Sequence, residues 1–312
     1  MNVRHFDWRD LPTLHRLRSQ SVYLNSALVL TRGPMPVRGA LFSFLAPSMG
    51  IFTYVLNGEQ AGDSPVFGQF IHFMGSPLSH LTFLTPNVGL DSTAVYSLME
   101  HMMVQSGERG ALRLLADVDE RSEAFETLRR SGFAIYSRQR IWQLTGFPDG
   151  DSRLGTWRSA ISPDQIPIRS LYNNLVPALV QQVEPLSTQR PKGMVYYDHG
   201  DLIAFVEIKY GRRGIWAQPF VHPDAQDMAQ HFIDFLSRVP NRRSRPVYIC
   251  VRSYQSWLET AIEDLGAEAG PRQAVMAKQF VSQQKASRAF AIPALEGGQP
   301  EITAPIARLG SK

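Results

Sequence analysis

Shifted by 134 residues, the sequence aligns with itself over two long stretches without a gap. Leu112–Val118 falls on Pro246–Arg252, Ser122 on Ser256, Gly132-Phe133 on Gly266-Ala267, and Ile141-Trp142 on Val275-Met276. Upstream, Gly68–Phe73 falls on Leu202–Glu207, and the run from Ser92 on the run from Gln226. Identities are few, but the order of apolar runs and turn residues matches from 65–144 to 199–278. A unit of that length is too long for a solenoid or propeller repeat. The 312 residues therefore read as two copies of one domain.

Each copy has the same order of elements. In the first, Val3–Trp8 reads as a strand and Asp10–Leu24 as a helix capped by Asp10, with Pro12 in its first turn. Pro65–Phe73 and Ser79–Thr85 are β-rich runs. A turn at Pro86–Gly89 leads to a helix capped by Asp91 or Ser92, whose Val95, Leu98, Met99 and Met102 recur at helical spacing. Ala111–Val118 reads as a buried strand, Ser122 as the cap of a short helix ended by Gly132, and Phe133–Leu144 as a long closing strand. The second copy gives a helix over 163–182 broken at Pro167 and Pro177, and strands over 193–197, 202–210 and 215–221. A helix over 224–238, a strand over 246–251, a helix over 254–265 and a strand over 273–281 complete it. The expected domains are 1–146 and 156–283, with a Gly-, Pro- and Asp-rich linker at 147–155 and a mobile tail at 284–312.

Composition removes several classes. With 44% hydrophobic and 19% charged residues the chain can bury a core. No run approaches the ~18 apolar residues of a membrane span, and no leader-like apolar segment opens the sequence, which gives the expectation of a cytoplasmic protein without a membrane partner. One cysteine, Cys250, excludes an intrachain disulfide and a cysteine-based zinc site. The histidines show no metal-ligand spacing, so no metal is expected. The net charge of +4 rests on arginine, since lysine stands only at 192, 209, 278, 285 and 312. The arginines are scattered, which argues against nucleic acid; the densest group, Arg242-Arg243-Ser244-Arg245, reads as a solvated loop.

The run Ser122–Phe133, followed by Ile141-Trp142, resembles the last helix and strand of the GNAT superfamily of acyl-CoA-dependent N-acyltransferases. With its elements, Ser256–Gly266 and the strand after it resemble the same motif again. The resemblance covers about 1–283 and implies an α+β fold: two tandem GNAT-like domains, each a mixed, mostly antiparallel central sheet flanked by helices. It also implies acetyl-CoA as co-substrate and a small-molecule or peptide amine as acceptor. In that fold the strand before the main helix splays from its neighbour and its backbone pairs with the pantetheine arm, while the helix N-terminus receives the pyrophosphate.

Carried onto the first copy, the resemblance implies cofactor contacts at Leu84 and Thr85 on the strand and at Gly89, Ser92 and Ala94 on the turn. The family's Arg or Gln at the phosphate turn is missing, and Asp91 stands beside it. In the second copy the turn positions are Pro223, Gln226 and Met228, flanked by Asp224 and Asp227. The tyrosine that often serves as general acid in this family is replaced by Leu128 and Ile262.

His80, at the start of the central strand, is the candidate base, with a satisfied core histidine as the alternative. His72, Tyr54 and Tyr136 read as core, and Glu207 either faces solvent by alternation, the preferred reading, or lines a cleft. The segment 27–49, rich in Pro and apolar residues, reads as a lid or cover. Two functions follow: acetyl transfer to an amine, with the N-terminal copy as the cofactor site, or a catalytically degenerate tandem protein that binds a ligand or a partner. The oligomeric state is left open.

Overall fold

The computed structural model describes residues 3–57, 64–87, 89–146, 157–186 and 191–280. The expected linker and the expected tail both lie wholly outside these residues. The N-terminal half contains β1 (Val3–His5), α1 (Leu11–Leu17), β2 (Val22–Tyr23), α2 (Ser26–Arg32), α3 (Pro36–Leu45), β3 (Ile51–Leu56), β4 (Val66–His72), β5 (Leu78–Thr85), α4 (Thr93–Glu108), β6 (Arg113–Asp119), α5 (Glu123–Arg130) and β7 (Ala134–Leu144). The C-terminal half contains β8 (Arg158–Ser159), α6 (Gln165–Leu175), α7 (Ala178–Val183), β9 (Gly193–Asp198), β10 (Asp201–Tyr210), β11 (Ile215–Val221), α8 (Met228–Arg238), β12 (Val247–Arg252), α9 (Leu258–Glu263) and β13 (Glu268–Gln279). The class is α+β, as the sequence implies.

Local chemistry explains the elements that match. The Ser92 side chain accepts from Val95 N at the start of α4, and Val95, Leu98, Met99 and Met102 are buried on one face. Gly132 and its repeat mate Gly266 end the short helices with φ of +81° and +75°, a region glycine enters without a Cβ clash. Asp10, expected as the cap of α1, makes no capping bond. Its carboxylate is held instead by both terminal nitrogens of Arg4 at 2.6 Å. Asp164 is held in the same way by Arg158 at 2.7 Å.

The strands form one sheet in the order β1-β3-β4-β5-β6-β13-β7-β12-β11-β10-β9-β8. Among the described strands, only β5–β6 and β11–β12 pair in parallel. The closing strands are exchanged between halves: β13 pairs with β6 and β7, while β7 pairs with β12. Each half thus takes an interior strand from the other. Helix α2 also crosses over, its Ala27 and Leu30 packing on Ile141, Trp216 and Cys250. In the opposite direction, Ile168, Leu171, Tyr172, Val176 and Val180 of the α6–α7 region form a core with Leu115, Tyr136 and Val275. The halves therefore share a buried core as well as a sheet.

Three expectations are corrected. The helix expected over 10–24 ends at Leu17, because Val22 and Tyr23 extend to pair with Leu84 and Phe83 on an open edge of β5. Within 27–49, expected as a lid or cover, α2 and α3 stand on the sheet, with Thr31, Pro36, Gly39 and Ala40 buried. The helix expected from Asp224 starts at Met228, because Asp227 takes φ +50°, outside the helical region. Strand β3 was not anticipated.

Candidate functional site

The parallel pair β5–β6 holds register only over Leu78–His80 and Arg113–Leu115, then diverges. A bulge opposite Gln69 and Phe70 sets Thr82 at the opening. The chain fills this opening with its own backbone. Leu24 N donates to Thr82 O at 2.9 Å on one lip, and Asp117 N donates to Leu24 O at 2.8 Å on the other. Ser26 N then donates to the Asp117 carboxylate at 3.1 Å. Leu84 is paired with Val22, and the Thr85 hydroxyl donates to Leu17 O and Gln20 O at 3.1 and 3.2 Å. The edge that a pantetheine arm would pair with is therefore already paired, and the residues present do not fit that arm.

At the turn, Gly89 has φ +74°, Ser92 caps α4, and Ala94 is half-buried against the N-terminal core. Asp91 beside them accepts from Tyr96 at 2.7 Å and is paired with Arg130. The equivalent lip in the C-terminal half is also capped: Val221 N donates to Gln255 Oε1 at 2.9 Å and Gln255 Nε2 donates to Pro219 O at 2.8 Å. Gln255 is fully buried there, so its amide stands in for a neighbouring strand.

His80 belongs to a different place. It lines a cavity of about 400 Å³ beneath α6 and α7, bounded by Leu78 of β5, Phe205 and Glu207 of β10, Phe220 of β11, and Tyr254. Burial lowers the His80 imidazole to about 4, with the Glu184 charge opposing, so it is neutral at physiological pH. Glu184, just after α7, also lines the cavity, and its Oε2 accepts from Arg252 Nη2 at 2.8 Å. Burial pushes the Glu184 carboxyl up, but Arg252 prevails and holds it below the usual carboxylate range. Tyr172 donates to Glu184 O at 2.5 Å, and burial raises its phenol to about 12.

Glu207, expected to face solvent, also lines this cavity, because the wall belongs to the face that α6 and α7 cover. Its partner is Lys209 at 3.6 Å. Arg252 is 5% exposed, and its Nε and Nη1 have no hydrogen-bond partner among the described residues. The Tyr136 hydroxyl, buried nearby in the shared core, faces the Glu184 carboxylate. A buried donor left without an acceptor costs about 1–3 kcal/mol.

His72 proves to be core: its ring lies 3.0 Å from Arg109 O and 3.0 Å from the Ser79 hydroxyl. Tyr54 is buried and donates to Gln105 Oε1 at 3.1 Å. Cys250 is fully buried, its thiol pushed up to about 12 by burial, so it carries no thiolate at neutral pH. Among the described residues no group of three or more His, Cys, Asp or Glu is placed to share a metal ion, and no helix is long and apolar enough to cross a membrane. Glu184, Arg252, Tyr172 and Tyr254 stand in no motif of the sequence. One compositional sign was available: of five lysines in the chain, Lys192 and Lys209 both line this cavity.

No protein-family model matches the sequence, and no curated protein sequence is significantly similar to it. Solved structures do resemble the fold. A GCN5-related N-acetyltransferase from Sphaerobacter thermophilus superposes with a TM-score of 0.52 at 12% identity, covering 89% of this chain and 95% of that one. A tandem GNAT protein from the clavulanic acid biosynthesis pathway, in a structure without AcCoA, superposes with a TM-score of 0.50 at 15% identity, covering 89% and 98%. At such identities the likeness concerns the fold and not the chemistry. Splayed parallel pairs, a main helix after each, and a short helix–Gly–long strand closure in both halves agree with it: this chain has the GNAT fold, in two tandem copies that exchange their closing strands.

Proposed function

We propose that this protein is a catalytically degenerate tandem GNAT-fold protein that binds a small ligand in the cavity between its halves. The observation that carries the reading is the backbone of Leu24, bonded to Thr82 on one lip of the N-terminal cleft and to Asp117 on the other. Acetyl transfer with acetyl-CoA on Leu84, Thr85, Gly89, Ser92 and Ala94 would require that strand to leave. Further support comes from Gln255 on the second cleft and from Leu128 and Ile262 where a general acid would stand. The cavity, in contrast, sets apolar side chains such as Ile168, Phe205 and Phe220 beside His80, Glu184, Glu207 and Lys209, polar groups that would orient a small molecule.

Two measurements test it. Thermal unfolding of the full chain with millimolar acetyl-CoA or CoA is expected to show no shift. A ligand at 100 times its Kd adds about 2.7 kcal/mol, so binding would be visible. A shift abolished by Ala94→Glu would overturn the degenerate reading. In parallel, a set of small organic fragments followed by ligand-observed NMR is expected to give binders that are lost in Leu78→Trp, which fills the cavity from its wall. Absence of any such binder would remove the cavity from the account.

A further inference from the structure

We infer that the cavity takes an uncharged small molecule, an apolar body carrying a hydrogen-bonding head such as a carboxamide or a hydroxyl. The inference rests on the reading of the cavity as a ligand site and adds the class of ligand.

The first argument is charge. The ionised groups of the wall are Glu184, Glu207, Lys192 and Lys209. Glu184 is committed to Arg252 at 2.8 Å, and its carboxylate also accepts from the Tyr136 hydroxyl. Glu207 is paired with Lys209 at 3.6 Å, and Lys192 is exposed to solvent. The Asp117 carboxylate lies within reach of the Arg252 charge. With Arg252 and Asp117 counted, three cations balance three carboxylates, and His80 is neutral. A ligand of either sign would bring in an ion in excess, and a buried ion without a partner costs far more than an uncharged polar group.

The second argument is which polar groups remain uncommitted. The His80 ring, the Gln218 amide and the Tyr254 hydroxyl line the cavity, and none makes a side-chain hydrogen bond among the described residues. All three are neutral, since burial keeps His80 unprotonated and holds the proton on the Tyr254 phenol. Together they offer donors and acceptors, which suits a head that does both. Gln218 is 9% exposed, and an amide so buried is seldom left unpaired. The third argument is the lining. Gln218 stands opposite Glu207, and Phe220 opposite Phe205, in the β10–β11 register, so the four side chains share one face. The two stacked rings, 6.1 Å apart, with Ile168 and Val180 give the body of the ligand an apolar bed.

Calorimetric titration of the full chain with hexanamide, and separately with hexanoate, hexylamine and toluene, tests the class. Hexanamide is expected to bind at least about tenfold more tightly than either ion, whose charge would enter without a partner. It is also expected to bind more tightly than toluene, which leaves the neutral polar groups unmet. At least one of Gln218→Leu, Tyr254→Phe and His80→Phe is expected to weaken hexanamide by about fivefold while changing toluene by less than about twofold. A purely structural role for these side chains predicts that both probes move together. Hexanamide binding unchanged in all three variants would overturn the class. Tighter binding of hexanoate or hexylamine, lost in Leu78→Trp, would overturn it while leaving the cavity reading intact. Failure of all four probes, with other fragments still bound in a Leu78-dependent way, would do the same, whereas absence of any Leu78-dependent binder would overturn the cavity reading itself.

Discussion

Gln139 and Gln273 hydrogen bond to each other across the exchanged strands, Nε2 of the first to Oε1 of the second at 2.9 Å, and they stand 134 positions apart, the offset of the repeat. They also face each other in the β7–β13 register. A residue that pairs with its own repeat mate marks the point about which the two halves are related. The pair is extended by Cys250, whose thiol donates to Gln139 Oε1 at 3.3 Å, and by Ser26, whose hydroxyl donates to Gln273 Oε1 at 3.0 Å.

Gln273→Ala is expected to cost about 2–3 kcal/mol in urea unfolding, because it leaves the Gln139 amide and the Ser26 hydroxyl without their acceptor. Replacing both glutamines with leucine is expected to cost less than the sum of the single changes, since the orphaned partner leaves too. Additivity within about 0.5 kcal/mol would show that the two amides are not coupled.

The amides of Leu24 and Asp117 are expected to exchange with solvent as slowly as those of the central strands, because each is bonded within the sheet. Leu24→Pro removes the N–H that reaches Thr82 and is expected to cost about 3 kcal/mol. Fast exchange at both amides in the unmodified chain would mean that the strand opens readily and that the cleft is accessible.

Lowering the pH from 7 to 5 is expected to destabilise the protein partly through His80. Its folded value of about 4 lies below the unfolded value of 6.5, so between these pH values the unfolded chain binds the extra proton. Stability is therefore complete above 6.5 and is lost as pH falls toward 4, at up to about 1.4 kcal/mol per pH unit. Urea unfolding free energies for the unmodified chain and for His80→Gln, taken at pH 7 and 5, are expected to differ in that slope by about 1 kcal/mol per pH unit. Equal slopes would show that His80 is solvated.

Asp164→Asn is expected to cost about 2 kcal/mol, since its carboxylate accepts from Arg158, Ile161 N and Tyr197. The Arg158 hydrogen bonds, prevailing over burial, hold this acid at about 2, so the stabilisation is present above 3.8 and is lost as pH falls through 2. Acid unfolding of the variant is expected to lack that component.

The paired-copy α+β arrangement was legible in the sequence because buried strands and the faces of α4 and α5 impose periodic apolar patterns that survive when identity does not. The partner of a closing strand was not legible: β7 and β13 carry equivalent patterns, and nothing local says whether each returns to its own half. Val22-Tyr23-Leu24 continued the apolar run of α1 and so read as helix. What makes it a strand is the open edge of β5, a property of the assembled sheet. His80 stands out in the sequence as an imidazole, though the sequence gives no sign that it lines a cavity rather than a cofactor cleft. Glu184 and Arg252 do not stand out, since the chemistry of their pair exists only once α7 is laid against the end of β12.

The exchange of closing strands has a consequence for synthesis. Strand β13, Glu268–Gln279, lies between β6 and β7 of the half that is made first. As the chain emerges from the ribosome, that half can collapse around α4, but its sheet keeps a slot between β6 and β7 until nearly all of the second half has followed. Each copy completes its sheet with a strand supplied by the other, so a cut between the halves leaves two sheets each short of an interior strand. The obligate unit of folding is the pair.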